Sequence, residues 1–332
     1  MDQESITKGI LTGIVDRYIH EIACDPDRSI RKLVDMAERT SEGPTQKICY
    51  QMMQQMAADQ SSPYYEMIHH LVTHTSPQTI KQFGINLGHN AWTFGSGNLR
   101  RIMEQNNLLI SWAVLIDRSR KPDRIPFSEI RDLVGKGRRS EVYAWVMRTS
   151  GTADEWNEYA RLFREYPDCV FALIADPAAL QGEIPEEAAE IPNLMIILDT
   201  DEGEWQSCAE LLSEKGFLFS VCRKISNTEQ AEAVLSGSWL EELTAYHPLI
   251  AFTIAEDSLP RETALQVKTY MWNTRLEQVY PVMPADLISD FIIINRLITR
   301  RDILYRVETD GSLSSAGELQ FSPASLTYRD LF

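Results

Sequence analysis

The 332 residues carry 48 acidic against 32 basic side chains, a formal charge of −16, with 44% hydrophobic and 24% charged residues. That length buries one large core or two smaller ones, and that balance belongs to a folded globular chain, excluding a disordered or fibrous one. The acid is concentrated in residues 141–260, which hold 23 acidic and 6 basic residues, a field that repels phosphate backbones and argues against nucleic acid as a partner.

The first seven residues are polar and acidic, and no apolar stretch approaches the length needed to span a bilayer, so a cytoplasmic protein with no membrane partner is expected. Five cysteines, Cys24, Cys49, Cys169, Cys208 and Cys222, show no paired spacing. That pattern predicts reduced, mostly buried thiols, not a disulfide framework or a metal knuckle.

Residues 1–107 are expected to form an all-helical N-terminal domain. Ile10, Leu11, Ile14, Val15 and Ile19 recur at helical spacing, as do Ile48, Met52, Met53 and Met56, with Asp25, Ser41 and Ser62 at the breaks. His70 and His74 share one helical face beside His69, but the glutamate of a zinc-binding HExxH helix is missing. No metal site is therefore predicted there, and His20, His89 and His247 read as isolated structural residues. Gly95-Ser96-Gly97 reads as a turn.

From residue 108 the pattern changes to short apolar runs at 109–116, 142–147, 169–175, 194–198, 217–222 and 249–255, separated by amphipathic stretches. Six strand–helix repeats with nearly continuous apolar strands imply a parallel sheet covered by helices, either open or a partial (β/α)6 barrel over 108–300. Thr152 with Glu155, and Asn227 with Gln230, carry the spacing of a capping box. Gly135-Lys136-Gly137 reads as a helix end, Pro260 opens a helix, and Pro284 precedes the apolar helix of Leu287, Phe291 and Ile294. Residues 301–332 form the last segment, a strand at 303–307 with a hairpin turn at Asp310-Gly311 and a polar tail.

The loop after the first strand, Arg118-Ser119-Arg120-Lys121-Pro122, carries no glycine-rich phosphate cradle. It opens a basic run, from Arg118 to Arg139, that suits either an acidic partner, a phosphate, or a solvated face. No nucleophile elbow is present, so no catalytic residue is assigned. Position supplies the remaining candidates. The C-terminal ends of parallel strands form the functional face of such sheets, and the charges expected there are Asp117, Arg148, Asp176, Asp199, Arg223 and Glu256, with Arg118, Thr149, Asp201, Lys224 and Asp257 beside them. Such a ring either binds a polar ligand or marks where strands leave the core.

Phe83-Gly84-Ile85-Asn86, Asn98-Leu99-Arg100-Arg101-Ile102 and the run Ile110-Ser111-Trp112-Ala113-Val114-Leu115-Ile116-Asp117 resemble the start of a group of bacterial radical-SAM proteins. Tyr166-Pro167-Asp168-Cys169-Val170-Phe171 resembles the third strand of that family, and Ile303-Leu304-Tyr305 with Asp310-Gly311 resembles a hairpin near its C-terminal extension. The family's fold is a partial barrel behind a helical region. Its first strand runs into a Cys-x3-Cys-x2-Cys loop holding a 4Fe–4S cluster, and a Gly-Gly-Glu-Pro motif meets S-adenosylmethionine. Here the loop has no cysteine, Met147-Arg148-Thr149-Ser150 stands at the second motif, and the extension's cysteines are missing. The resemblance thus implies a non-catalytic protein that has lost its cluster and S-adenosylmethionine sites. Such a protein would act by binding, for instance as partner or regulatory subunit of an active radical-SAM enzyme. A barrel enzyme or small-molecule binder using the charged strand ends is the alternative.

Overall fold

The computed structural model describes residues 3–39, 51, 53–119, 124–149, 153–180, 190–317, 327 and 331–332. Ser41, Ile48, Cys49, Met52, residues 120–123, Ser150, Thr152 and most of the tail, on which some expectations above fall, lie outside the described residues.

The architecture is mixed α/β. In chain order it comprises α1 (Gln3–Cys24), α2 (Pro26–Arg39), α3 (Pro63–His74), α4 (Pro77–Ile85), a π-helix (Asn86–Phe94) and α5 (Gly95–Asn106). There follow β1 (Ala113–Arg118), α6 (Phe127–Arg139), β2 (Ala144–Thr149), α7 (Ala153–Glu165), β3 (Val170–Ala175), α8 (Pro177–Leu180) and β4 (Leu194–Asp199). Then come α9 (Trp205–Glu214), β5 (Phe219–Ile225), α10 (Thr228–Leu235), α11 (Ser238–Leu243), β6 (Ile250–Ala255) and α12 (Arg261–Glu277). The last elements are β7 (Met283–Asp286), α13 (Leu287–Thr299), β8 (Ile303–Val307) and β9 (Leu313–Gly317).

Nine strands are bonded in the order β7-β6-β5-β4-β3-β2-β1-β8-β9. The pairs β1–β2, β2–β3, β5–β6, β6–β7 and β1–β8 are parallel, and β8–β9 is antiparallel. Sequential parallel order follows from right-handed strand–helix–strand units. Among the described residues three strands lie beyond the six expected repeats: β7, and β8 with β9, the hairpin expected after residue 300. β7 went unseen because it has four residues and contains Pro284, a residue that a sheet tolerates at an edge, where β7 lies. The strand at 303–307 forms the expected hairpin with β9 and also pairs with β1, Val114 opposite Tyr305.

The chain divides into two compact units, each drawn from two stretches: Met1–Lys81 with Ile197–Leu287, and Gln82–Ile196 with Ile288–Phe332. The helical stretch before β1 therefore contributes to both.

In the first unit, α1 and α2 are separated by Asp25 alone, and Ile22, Ile30, Tyr65 and Val72 make a small apolar cluster. Ser62 caps α3 by accepting from the Tyr64 N–H at 3.2 Å, and the Tyr64 hydroxyl donates to the Arg275 carbonyl of α12 at 3.1 Å. Asn227 caps α10 by accepting from the Gln230 N–H at 3.0 Å, as its spacing predicts. The Gln230 carbonyl returns the bond one residue earlier than a standard box, accepting from the N–H and hydroxyl of Ser226.

In the second unit, β1 and β3 are buried along their whole length. The π-helix is anchored to the chain entering β3: Asn86 donates to the carbonyls of Pro167 and Cys169 at 2.9 and 2.8 Å, and Asn90 donates to that of Asp168 at 2.8 Å. Gly95-Ser96-Gly97 is helical, not a turn. A Cβ at Gly95 would stand 2.1 Å from the Asn90 carbonyl oxygen, so only glycine lets the wide helix pass into α5. Gly135 and Gly137 likewise lie inside α6 instead of ending it, and Gly137 makes room for the Trp145 ring. Leu331 is buried and Phe332 meets Trp145 edge-on at 6.5 Å, so the chain end packs into this unit where a surface tail was expected.

Candidate functional site

β1 and β2 pair in a register that sets Asp117 opposite Arg148, and β8, on the other side of β1, brings Arg306. Asp117 is buried, 7% exposed. Burial alone would raise its carboxyl, but bonds from the Ser119 hydroxyl (2.6 Å) and N–H (2.7 Å), then the charges of Arg148 and Arg306, hold it below the usual carboxylate range. Arg306 lies 3.6 Å from Asp117 and 3.2 Å from Glu308. Arg148 is half-buried and has no hydrogen bond or ion pair among the described residues; its charge acts on Asp117.

Most of the neighbouring basic run is paired with acids where it is described. Glu155, placed at the start of α7, takes Arg118 and Arg124 on one oxygen and the Thr149 hydroxyl on the other. The Arg118 guanidinium also lies over the Phe127 ring, 4.0 Å from its centre. On α6, Arg131 pairs with Glu165, Lys136 with Asp132, and Arg138 with Asp168. Thr152, its partner in the expected capping box, lies outside the described residues; the role the structure shows for Glu155 is counter-charge of two arginines.

In the first unit, Asp199 pairs with Lys224 and Asp201 with Arg223 at 3.2 Å, and the Lys224 N–H donates to Asp201 at 2.9 Å. Burial, then the nearby Asp199, raises the Asp201 carboxyl above its ordinary value against the pull of Lys224 and Arg223. Asp199 is 3% exposed. These ends of β4 and β5 form a closed, mutually compensated quartet. The remaining candidates stand outside both clusters. Asp176 accepts from the Ala178 N–H at 2.8 Å, the bond of a residue opening α8, and Glu256 is exposed, its N–H donating to the Ile225 carbonyl. The structure thus joins Asp117 to Arg148, and Asp199 to Arg223 through Asp201 and Lys224.

Sequence reading separated His247 from the other histidines, yet His70 stacks on both His74 and His247, with ring centres 3.9 and 4.2 Å apart. They border a pocket of about 300 Å3, partly open to solvent, whose apolar wall is Met67, Leu71, Phe217, Phe219 and Leu249. Much of that space is open solvent, and the pocket has room for about one water molecule. The link between residues 70 and 247 is purely tertiary, so periodicity could not disclose it.

Iron–sulfur ligation needs thiolates converging on one loop. The chain leaving β1 offers the Asp117 carboxylate and the Ser119 hydroxyl instead, and Cys169, Cys208 and Cys222 are buried in or beside β3, α9 and β5. Burial drives the Cys169 thiol far above its ordinary value. These residues do not fit a cluster. Among the described residues no group of three or more His, Cys, Asp or Glu is placed to hold a metal ion, and no helix is long and apolar enough to cross a membrane.

No protein-family pattern matches the chain, and no curated protein does. Among solved structures, the EAL enzyme Bd1971, in a form with cAMP and cyclic-di-GMP bound, is similar at 14% identity and a TM-score of 0.29. The match covers 63% of this chain and 54% of that one, so the chain spans about half the length of that structure. A likeness at this level carries no argument about the fold or activity of this chain.

Proposed function

We propose that this protein is a non-catalytic, radical-SAM-like protein that acts by binding, without an iron–sulfur cluster, and that the ends of β1, β2 and β8 receive an anionic group, a carboxylate or phosphate. The observation that carries the reading is the Arg148 guanidinium, left without a hydrogen bond or ion pair among the described residues while the basic side chains around it are compensated. A half-buried guanidinium has five N–H donors to satisfy, and a planar oxyanion meets two of them at once.

Thermal-shift titration with inorganic phosphate, citrate and S-adenosylmethionine, on the wild type and R148A, tests this. A stabilisation by at least one of them that R148A abolishes is expected. No shift with any, or an equal shift in R148A, overturns the anion site.

A protein partner, an active radical-SAM enzyme, is the second reading. What favours it is apolar surface on and just after α12, where Leu265, Leu276 and Val279 are 61%, 47% and 50% exposed. Copurification from the native host that L265E/L276E weakens would support it; a strictly monomeric preparation would count against it. The free, buried thiols of Cys169, Cys208 and Cys222 suit the reducing cytoplasm proposed as its location.

A further inference from the structure

Among the described residues no carboxylate acts on His70, the middle ring of the histidine stack of the first unit. His70 and His74 are one turn apart on α3 and lie face to face at 9°, and His247 covers the other face of His70 at 18°. From α3 the ionisable groups facing His70 are His69 and His74, and from the 244–249 turn it is His247. The connection from α9 and the starts of β5 and β6 offer Ser213, Phe217, Phe219 and Leu249, none of which carries a charge. Glu66, one turn earlier on α3, is exposed and is not among the groups acting on His70, and Glu214 and Lys215 at the end of α9 point to solvent.

The turn carrying His247 is held under tension. His247 has φ 51, the left-handed region that a residue with a Cβ adopts at a cost. Its Nδ1 is sealed from solvent with no hydrogen-bond partner among the described residues. Tyr246 meets Trp205 edge-on at 4.9 Å, and the Leu249 N–H donates to the Phe219 carbonyl at 3.0 Å, so the turn is fixed on its far side while the imidazole stack closes it against α3.

We propose that the His74–His70–His247 stack is an acid-sensitive latch that keeps the 244–249 turn on the C-terminal end of α3 while its rings are neutral and releases it when adjoining rings take up protons. Neutral imidazoles stack favourably, whereas imidazolium rings at these separations repel with no carboxylate between them. Release uncovers the apolar wall of Met67, Phe217 and Phe219. In line with this, desolvation, then His247, His74 and His69, lowers the proton affinity of His70 to a pKa of about 4. Because the closed form binds the proton more weakly than an open one at the ordinary 6.5, closure is favoured above that pH and lost as the pH falls toward about 4.

The test is amide hydrogen exchange on the full chain from pH 7.5 to 4.5, with protection corrected for the intrinsic pH dependence of exchange. In the wild type, protection of residues 69–76 and 244–250 should fall about tenfold or more across that range, while β5 and β6 stay protected. H70F keeps an aromatic face but cannot take a proton, and should hold protection constant; H247F serves the same purpose if H70F does not fold. Constant protection in the wild type, an unchanged pH response in both variants, or a loss spread evenly over the whole chain would each overturn the latch.

Discussion

Arg118 and Glu155 lie 3.4 Å apart with side chains only 7% and 19% exposed, and Arg124, 8% exposed, shares the same carboxylate oxygen. One acid therefore neutralises two enclosed guanidinium groups. Replacing it with a neutral amide of the same shape removes the counter-charge it gives to both, at a cost of about 3 kcal/mol. E155Q should lower the free energy of unfolding by that amount in urea titration with little change in slope. A loss below about 0.5 kcal/mol would mean that water already compensates the arginines.

Arg148 predicts the opposite. It forms no bond within the described structure, so R148A should change stability by less than about 0.5 kcal/mol in the same titration, while removing the response to anions. A strongly destabilised R148A would reassign the residue to structural support.

Two glycines on different helices should respond with opposite signs to the same substitution. A Cβ at Gly97 meets nothing within 4 Å, so G97A gains the helix preference of alanine and stabilises by about 0.5–1 kcal/mol. At Gly137 the Cβ would lie 2.5 Å from the Trp145 ring, which is 1% exposed and cannot retreat. Overpacking outweighs propensity there, and G137A should destabilise by about 1–3 kcal/mol. Thermal denaturation of the two variants beside the wild type reads both signs.

Asp117 sets an acid limit. Its folded pKa lies below the ordinary 3.8 of the unfolded chain, so the unfolded state takes up the proton first. The stabilisation is complete above 3.8 and is lost as the pH falls through the folded value. D117N should be less stable than the wild type at neutral pH, with the gap narrowing below 3.8 in urea titrations run at successive pH values. A gap independent of pH would exclude the carboxylate as its source.

The six apolar runs marked β1 to β6, but β1, β2, β4 and β5 are displaced or prolonged toward the charged residues that follow, while β3 and β6 end where their runs end. Asp117, Arg118, Arg148 and Asp199 stay within their strands because the backbone ladder continues under them while their side chains find partners or edge positions. Hydropathy registers the side chain and not the ladder, so it ends a strand too early. The π-helix was illegible because nothing in Asn86-Leu87-Gly88-His89-Asn90 has a period of its own; the segment is widened by the carbonyls of 167–169 that Asn86 and Asn90 must reach. Of the candidate site, the Asp117–Arg148 pairing was half legible, as two charges at equivalent strand ends. Arg306 was not, since it depends on β8 returning beside β1.

That return also governs how the molecule can be made. Val114 waits for Tyr305, so this second neighbour of β1 leaves the ribosome about 190 residues later. Until then the nascent second unit presents an unpaired strand edge, an invitation to mispairing that slow synthesis would lengthen. Truncation that removes β8 should accordingly yield insoluble material although the β1–β3 segment itself is untouched.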